Sequence, residues 1–180
     1  KALKEHHQQI FLKSLQDNFP NLFFWFEYLL NKSAYTYWIY RWIEKNERKF
    51  YEVAQHLNKA ITSLPEKLER LPMFSQRITR NPHTFDRNTN LGKLLIHVLA
   101  VHRQEEGLVS LPTDSEGINE LLLQYNILRD DITNYITCAN LLAETEHGVH
   151  PMWQAATSMQ SVLNIPLREL VTLSSIYPAN

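Results

Sequence analysis

One cysteine, four glycines and no uninterrupted apolar run of membrane-spanning length mark this 180-residue chain. Cys138 is alone, which excludes a disulfide framework and a thiolate metal cluster. Four glycines could hardly build a phosphate-cradling loop, and no glycine-rich motif of that kind is present. No His-Glu-x-x-His or Cys-x-x-Cys pattern occurs, and no spacing signal supports a Ser-His-Asp arrangement. There is no internal repeat, no low-complexity tract and no signal-peptide pattern. The expectation is a cytoplasmic protein with no membrane partner.

What is present suffices for a real core. Hydrophobic residues make up 44% of the chain, enough for one domain, or one with a small second unit. The net charge of −1 conceals a split: residues 1–103 carry +7 and residues 104–180 carry −8. Either one half meets an anion and the other a basic partner, or the halves pair with each other.

Apolar spacing is mostly helical. Residues 5–17 read as an amphipathic helix with Ile10, Phe11 and Leu15 inward. Pro20 suits the first turn of the next helix, whose Leu22 to Leu30 stretch is apolar nearly all round and expected to be deeply buried or covered by another domain. Ser33 is the expected N-cap of a helix carrying Tyr35, Tyr37, Trp38 and Trp42. A further helix runs from Phe50 to Leu64, and Pro65 ends it or opens a short new turn. Glu66–Leu71 reads as one more helical turn closed by Pro72. After a polar loop over residues 79–90, Thr89 or Asn90 caps a helix that Gly107 stops. Residues 115–126 form another, with Ile118, Leu121, Leu122 and Leu123 inward. The run from Ile132 to Leu141 reads as a strand or a hairpin around Asp130-Asp131 and Thr133-Asn134. Pro151 opens a helix with Trp153, Ala156 and Met159, and Leu167–Leu173 is extended. The predicted fold is mainly α: a bundle-like helical body over 1–126, then a small α+β segment over 127–180 with a β-hairpin or short strands.

Candidate chemistry concentrates in the 79–90 loop. Arg77, Arg80, Arg87 and Lys93, with Arg103 further on, surround a loop that feeds a helix N-terminus. Guanidinium forks and free N–H groups there suit phosphate contacts, while a solvated basic face is the plain alternative. Lys45, Arg48 and Lys49 form a second basic patch. His83 and Asp86 could build a base or part of a ligand shell, but a structural role is the stronger reading. In it Asp86 caps backbone N–H groups, His83 donates to a carbonyl and Thr89 helps hold the loop. His6-His7, and His147 with His150 beside Glu144 and Glu146, suggest at most an adventitious metal site. His97 and His102 are five apart and do not share a face. Asp130-Asp131 alone does not define a two-metal centre. The aromatic run Phe19–Trp42 could imitate a base-stacking surface, but aromatics at helical spacing belong to a core or an interface.

The segment Arg80-Asn-Pro-His-Thr-Phe-Asp-Arg-Asn-Thr-Asn-Leu-Gly-Lys-Leu-Leu-Ile resembles a Gly-Asp-Pro-His-Ala-Leu-Asp-x-Gly-Thr-x-Leu-Gly-x-Leu stretch. That stretch belongs to the nuclease subunit of Wadjet-type plasmid-defence systems, bacterial four-gene cassettes with a condensin-like ATPase. Ala60-Ile-x-x-Leu-Pro65, Leu128-Arg-Asp-Asp-Ile132, Asn140-Leu141, Trp153 and Pro166-Leu-Arg-Glu-Leu-Val-Thr-Leu173 follow the order seen there. The similarity covers residues 50–180, with the loop its specific motif. Two positions depart: Arg80-Asn81 replaces Gly-Asp, and Asn88-Thr89 replaces Gly-Thr. Asn tolerates positive φ, so the turn can survive.

The resemblance implies a helical N-terminal region followed by a Toprim domain similar to the topoisomerase VI A subunit. The chain, which starts at Lys1 rather than Met, is accordingly read as a piece of a longer protein. It implies Mg or Mn in that further domain and no cofactor, metal or catalytic residue here. Arg77, Arg80, Arg87 and Lys93 would touch DNA, and His83, Asp86 and Thr89 would shape the loop. Double-stranded DNA, the condensin-like ATPase complex, the Toprim domain and a second copy are the implied partners. A protein-interaction or dimerisation module without DNA contact is the alternative. A metal-dependent hydrolase built on His83, Asp86 and the acidic loop is a third reading.

Overall fold

The computed structural model describes residues 2–33, 35–103, 110–129 and 135–179. It is mainly α, with short strands concentrated towards the C-terminus. Helix α1 (Ala2–Asn18) leads through a 3₁₀ turn (Pro20–Leu22) into α2 (Phe23–Leu30). Then come α3 (Tyr37–Lys45) and α4 (Glu47–Thr62). Strand β1 (Glu69–Arg70) precedes α5 (Leu71–Thr79), α6 (Asn90–His102) and α7 (Ser115–Gln124). Strand β2 (Ile127–Leu128) runs parallel to β1, pairing Glu69 with Ile127.

Helix α6 is the axis of this body. Its residues from Leu91 to Val101 are buried except Lys93 and Ile96. α2, α4 and α7 pack on it. Trp25, Phe26, Phe50, Phe74 and Phe85 fill one continuous core with the leucines of these helices. Each such aromatic removes a large apolar area from water, the dominant favourable term in folding.

The remaining residues make a smaller unit. β3 (Tyr135–Ala139) pairs antiparallel with β6 (Val162–Pro166). β4 (Leu141–Thr145) lies between β5 (Gly148–Val149) and β7 (Ser175–Pro178). α8 (Pro151–Ser158) packs on β4 and β6, and α9 (Leu167–Leu170) follows β6. Ala143, Trp153 and Ile165 form its buried cluster, with half-buried neighbours around them, and Ala156 and Ala179 are also buried.

Several local expectations change. The α1 face is built from Leu12, Leu15 and then Phe19, an i, i+3, i+7 stripe, so Ile10 points outward at 54% exposure. Thr36, not Ser33, precedes α3, and the Ser33 carbonyl instead accepts a hydrogen bond from the Thr36 hydroxyl. Glu66–Leu71 is not a helical turn: Glu69 and Arg70 find a strand partner 58 residues downstream. Pro72 then opens α5 rather than closing a helix, because its missing N–H costs nothing in a first turn. Leu167–Leu173 is not extended; the extended segments are its neighbours β6 and β7. Leu123 and Met159 face outward. The expected features at Gly107, Asp130-Asp131 and Thr133-Asn134 lie outside the described residues.

Candidate functional site

The 79–90 loop is held by a set of local hydrogen bonds and one buried ring. Helix α5 ends at Arg80, whose φ of 64° places it in the left-handed region usual for the residue after a helix. The Thr79 hydroxyl lies 2.9 Å from the Thr84 hydroxyl and accepts from the Asn81 N–H. The Asn81 side-chain oxygen accepts from the His83 N–H at 2.9 Å, a local Asx turn. Phe85 is buried and stacks on Phe74 with ring centroids 5.7 Å apart. Its N–H donates to the hydroxyl of fully buried Ser75 at 3.0 Å. Thr89 caps α6: its hydroxyl accepts from the Gly92 N–H at 2.9 Å and lies 2.7 Å from the Thr84 carbonyl.

Gly92 is what lets the loop sit this close to the helix. A Cβ there would lie 2.1 Å from the Asp86 carbonyl oxygen and 2.7 Å from that of Phe85. Both obstacles are backbone, so no side-chain rotation relieves them. Reading the sequence alone gives this glycine no role. The signal that could have found it is a lone Gly in the first turn of a strongly patterned helix.

His83 Nδ1 lies 3.0 Å from Asp86 Oδ2, an exposed pair. This replaces the expected bond from His83 to a carbonyl, and Asp86 holds the imidazole instead of capping backbone. Such a pair can orient an imidazole, but among the described residues no group of three or more His, Cys, Asp or Glu side chains could hold a metal. The other histidines are dispersed. His147 neighbours Glu146 at 3.6 Å, and His150 caps α8 through Nδ1. His102 meets the Tyr125 hydroxyl. His97 is buried against Trp25, whose indole N–H donates to its Nδ1 at 2.9 Å.

The four basic candidates are all exposed but differently engaged. Arg77 makes a two-point contact with Glu69, at 3.1 and 2.6 Å, and donates to the Ser63 carbonyl. The hydrogen bond to Glu69 holds its pKa above the ordinary value. Arg87 spans to the start of α7, donating to the Ser115 hydroxyl and the Thr113 carbonyl at 2.9 Å each. Arg80 and Lys93 have no ion pair among the described residues. Arg80 protrudes from the loop's first residue, and Lys93 from the first turn of α6. The second basic patch is partly neutralised, with Arg48 3.8 Å from Glu52. Among the described residues no helix is long and apolar enough to cross a membrane.

The chain belongs to the family described as "Protein of unknown function N-terminus (DUF3323)", whose model matches residues 1–143. No curated protein and no solved structure matches it.

Proposed function

We propose that the chain, a member of that family, is a non-catalytic, DNA-positioning region of a plasmid-defence nuclease subunit of the Wadjet type. Its helical body would present DNA and partner subunits to a C-terminal, metal-dependent Toprim domain. The observation that carries the reading is the 80–96 segment. It resembles the motif of that nuclease subunit, and it is a hydrogen-bonded loop running into α6, with Arg80 at its start and Lys93 in the first helical turn, neither ion-paired among the described residues. A preorganised loop binds without an ordering cost, and a helix N-terminus beside Lys93 favours a phosphate. Arg77 and Arg87 support the same surface by tying α5 to β1 and the loop to α7.

The test is an electrophoretic mobility shift on duplex DNA at two salt concentrations with Arg80→Glu and Lys93→Glu. Both side chains are exposed, so helix content should be unchanged while affinity falls. Removing one phosphate-binding cation should flatten the salt slope by about 1. Wild-type affinity in both variants, or binding indifferent to salt, removes the DNA role. The protein-interaction alternative would then stand alone, and co-purification with the cassette ATPase would test it.

A further inference from the structure

Two side chains of the aromatic run expected in a core or an interface lie outside the core. Tyr35 is 60% exposed and Tyr37 75%, while their neighbours Ile39 and Ile43 are fully buried. They flank a groove of about 890 Å³ between the α2–α3 connection and α1. The connection is strained: Lys32 has φ 48° and Tyr35 φ 63°. A left-handed conformation is unfavourable for a bulky residue, and such costs cluster where a side chain must be aimed. Arg41 also lines the groove, its guanidinium 6.0 Å from the centre of the Tyr37 ring. Lys32 is matched by Glu5 at 3.6 Å, whereas Arg41 has no carboxylate partner among the described residues.

We propose that this groove docks an extended peptide segment of a partner protein, one that carries a carboxylate beside proline or other apolar residues. Exposed Tyr and Arg are among the side chains enriched at the centres of protein interfaces, Tyr because it buries much area at little rotamer cost and Arg because its planar fork makes several hydrogen bonds. The carboxylate answers Arg41, the groove cation without a carboxylate partner among the described residues. Its guanidinium offers a fork of donors that a carboxylate fits with two bonds. The aromatic faces answer the apolar residues on either side. An extended segment has free carbonyls for the tyrosine hydroxyls. A nucleic-acid strand fits worse: Glu5 and Glu44 line the groove along with Lys32 and Arg41, so it is close to neutral, and phosphate chains need an excess of cations.

The groove is remote from the DNA loop. Ser33 lines it and also lines the adjoining cleft with Val101 and His102, at the C-terminal end of α6. The loop sits at the other end of that helix, about 20 Å away. The site therefore goes beyond the DNA reading, and the two can fail separately.

A random displayed-peptide library panned against the whole chain tests it, with a Tyr37→Ser/Arg41→Ser variant as counter-selection. The expected result is an enriched consensus holding Asp or Glu next to proline or an apolar residue. A labelled consensus peptide should bind Arg41→Ser at least about tenfold more weakly than wild type. Arg41→Lys should recover only part of the loss, because it keeps the charge without the fork. Lys93→Glu should bind the peptide normally, whatever it does to DNA. All three positions are exposed, and unchanged thermal melting verifies the fold. No enrichment over the variant, or a consensus without an acidic residue, overturns the proposal. So does oligothymidylate binding that the same substitutions abolish, which would give the groove to nucleic acid.

Discussion

The helical body and the C-terminal unit reach stability by different means. The body closes one continuous core around α6, and buried aromatics from α2, α4, α5 and the 79–90 loop meet in it. The C-terminal unit has three buried side chains in its core and relies on strand pairing. Its β3–β6 ribbon holds five residue pairs, yet Tyr135 and Val162 on it are 60% and 63% exposed. Two-stranded ribbons are marginal on their own, because each strand's unpaired edge stays open to solvent. The contrast shows where polar networks can be held rigidly. The fastened 79–90 loop rests on the body's core through Phe85, whereas Glu144, bonded to the Tyr177 and Ser175 hydroxyls, sits on the thinner unit.

The largest expected effect would break that comparison outright. Trp153→Ala should cost the small unit about 4 kcal/mol, most of what one buried aromatic can supply. Hydrogen exchange should then show β3, β4 and β6 amides unprotected while α6 keeps its protection. Simultaneous loss of protection in α6 would mean that the two regions fold as one.

Gly92→Ala acts on the body. Its methyl must displace the Asp86 and Phe85 carbonyls, and the expected loss is about 3 kcal/mol in denaturant unfolding. A near-native midpoint would show that the loop can lift off α6 at little cost, and the rigid-loop argument would go with it.

Acid should weaken the body through His97. Burial lowers its pKa from 6.5 to about 4, with Trp25 donating to Nδ1 and Nε2 without a hydrogen-bond partner among the described residues. The rings around it, Trp25, Tyr28 and Trp38, carry no charge that would welcome an imidazolium. The unfolded chain therefore takes up this proton first. The stabilisation is complete above pH 6.5 and declines as pH falls towards 4, reaching a loss of about 3 kcal/mol. His97→Gln should remove most of that pH dependence in melting experiments between those values; an unchanged slope assigns it elsewhere.

The smallest effect sharpens the role of the loop. Arg80→Gly should stabilise the chain by about 1 kcal/mol, since glycine adopts the left-handed φ freely. If Arg80 touches DNA, the same change should weaken duplex binding. A gain in stability with unchanged binding would make the arginine incidental.

Much of the body is legible because its signals are local. Pro20 opens the expected helical turn, and Thr89 caps α6 through Gly92 as its position before an apolar run predicts. Trp153 and Ala156 face inward on α8. The misses share a cause. Pro72 can end one helix or begin another, and only the pairing of β1 with β2 decides between them. Side-chain preference points to Asn for the positive φ where the motif's glycines are replaced, but Arg80 supplies it. Position set that angle, because the helix end and the turn on either side leave no other path.

The amino-acid order alone determined that the chain is helical, that a cap and a specific polar loop precede the helix starting at Asn90, and that basic groups crowd there. Those are consequences of spacing within a few residues. Only the tertiary structure decided that Arg77 and Arg87 are tied to Glu69 and Thr113 while Arg80 and Lys93 are not, and that Tyr35 and Tyr37 stay outside the core. Such outcomes depend on which distant groups the folded chain brings within hydrogen-bonding or packing distance, and no local pattern encodes that.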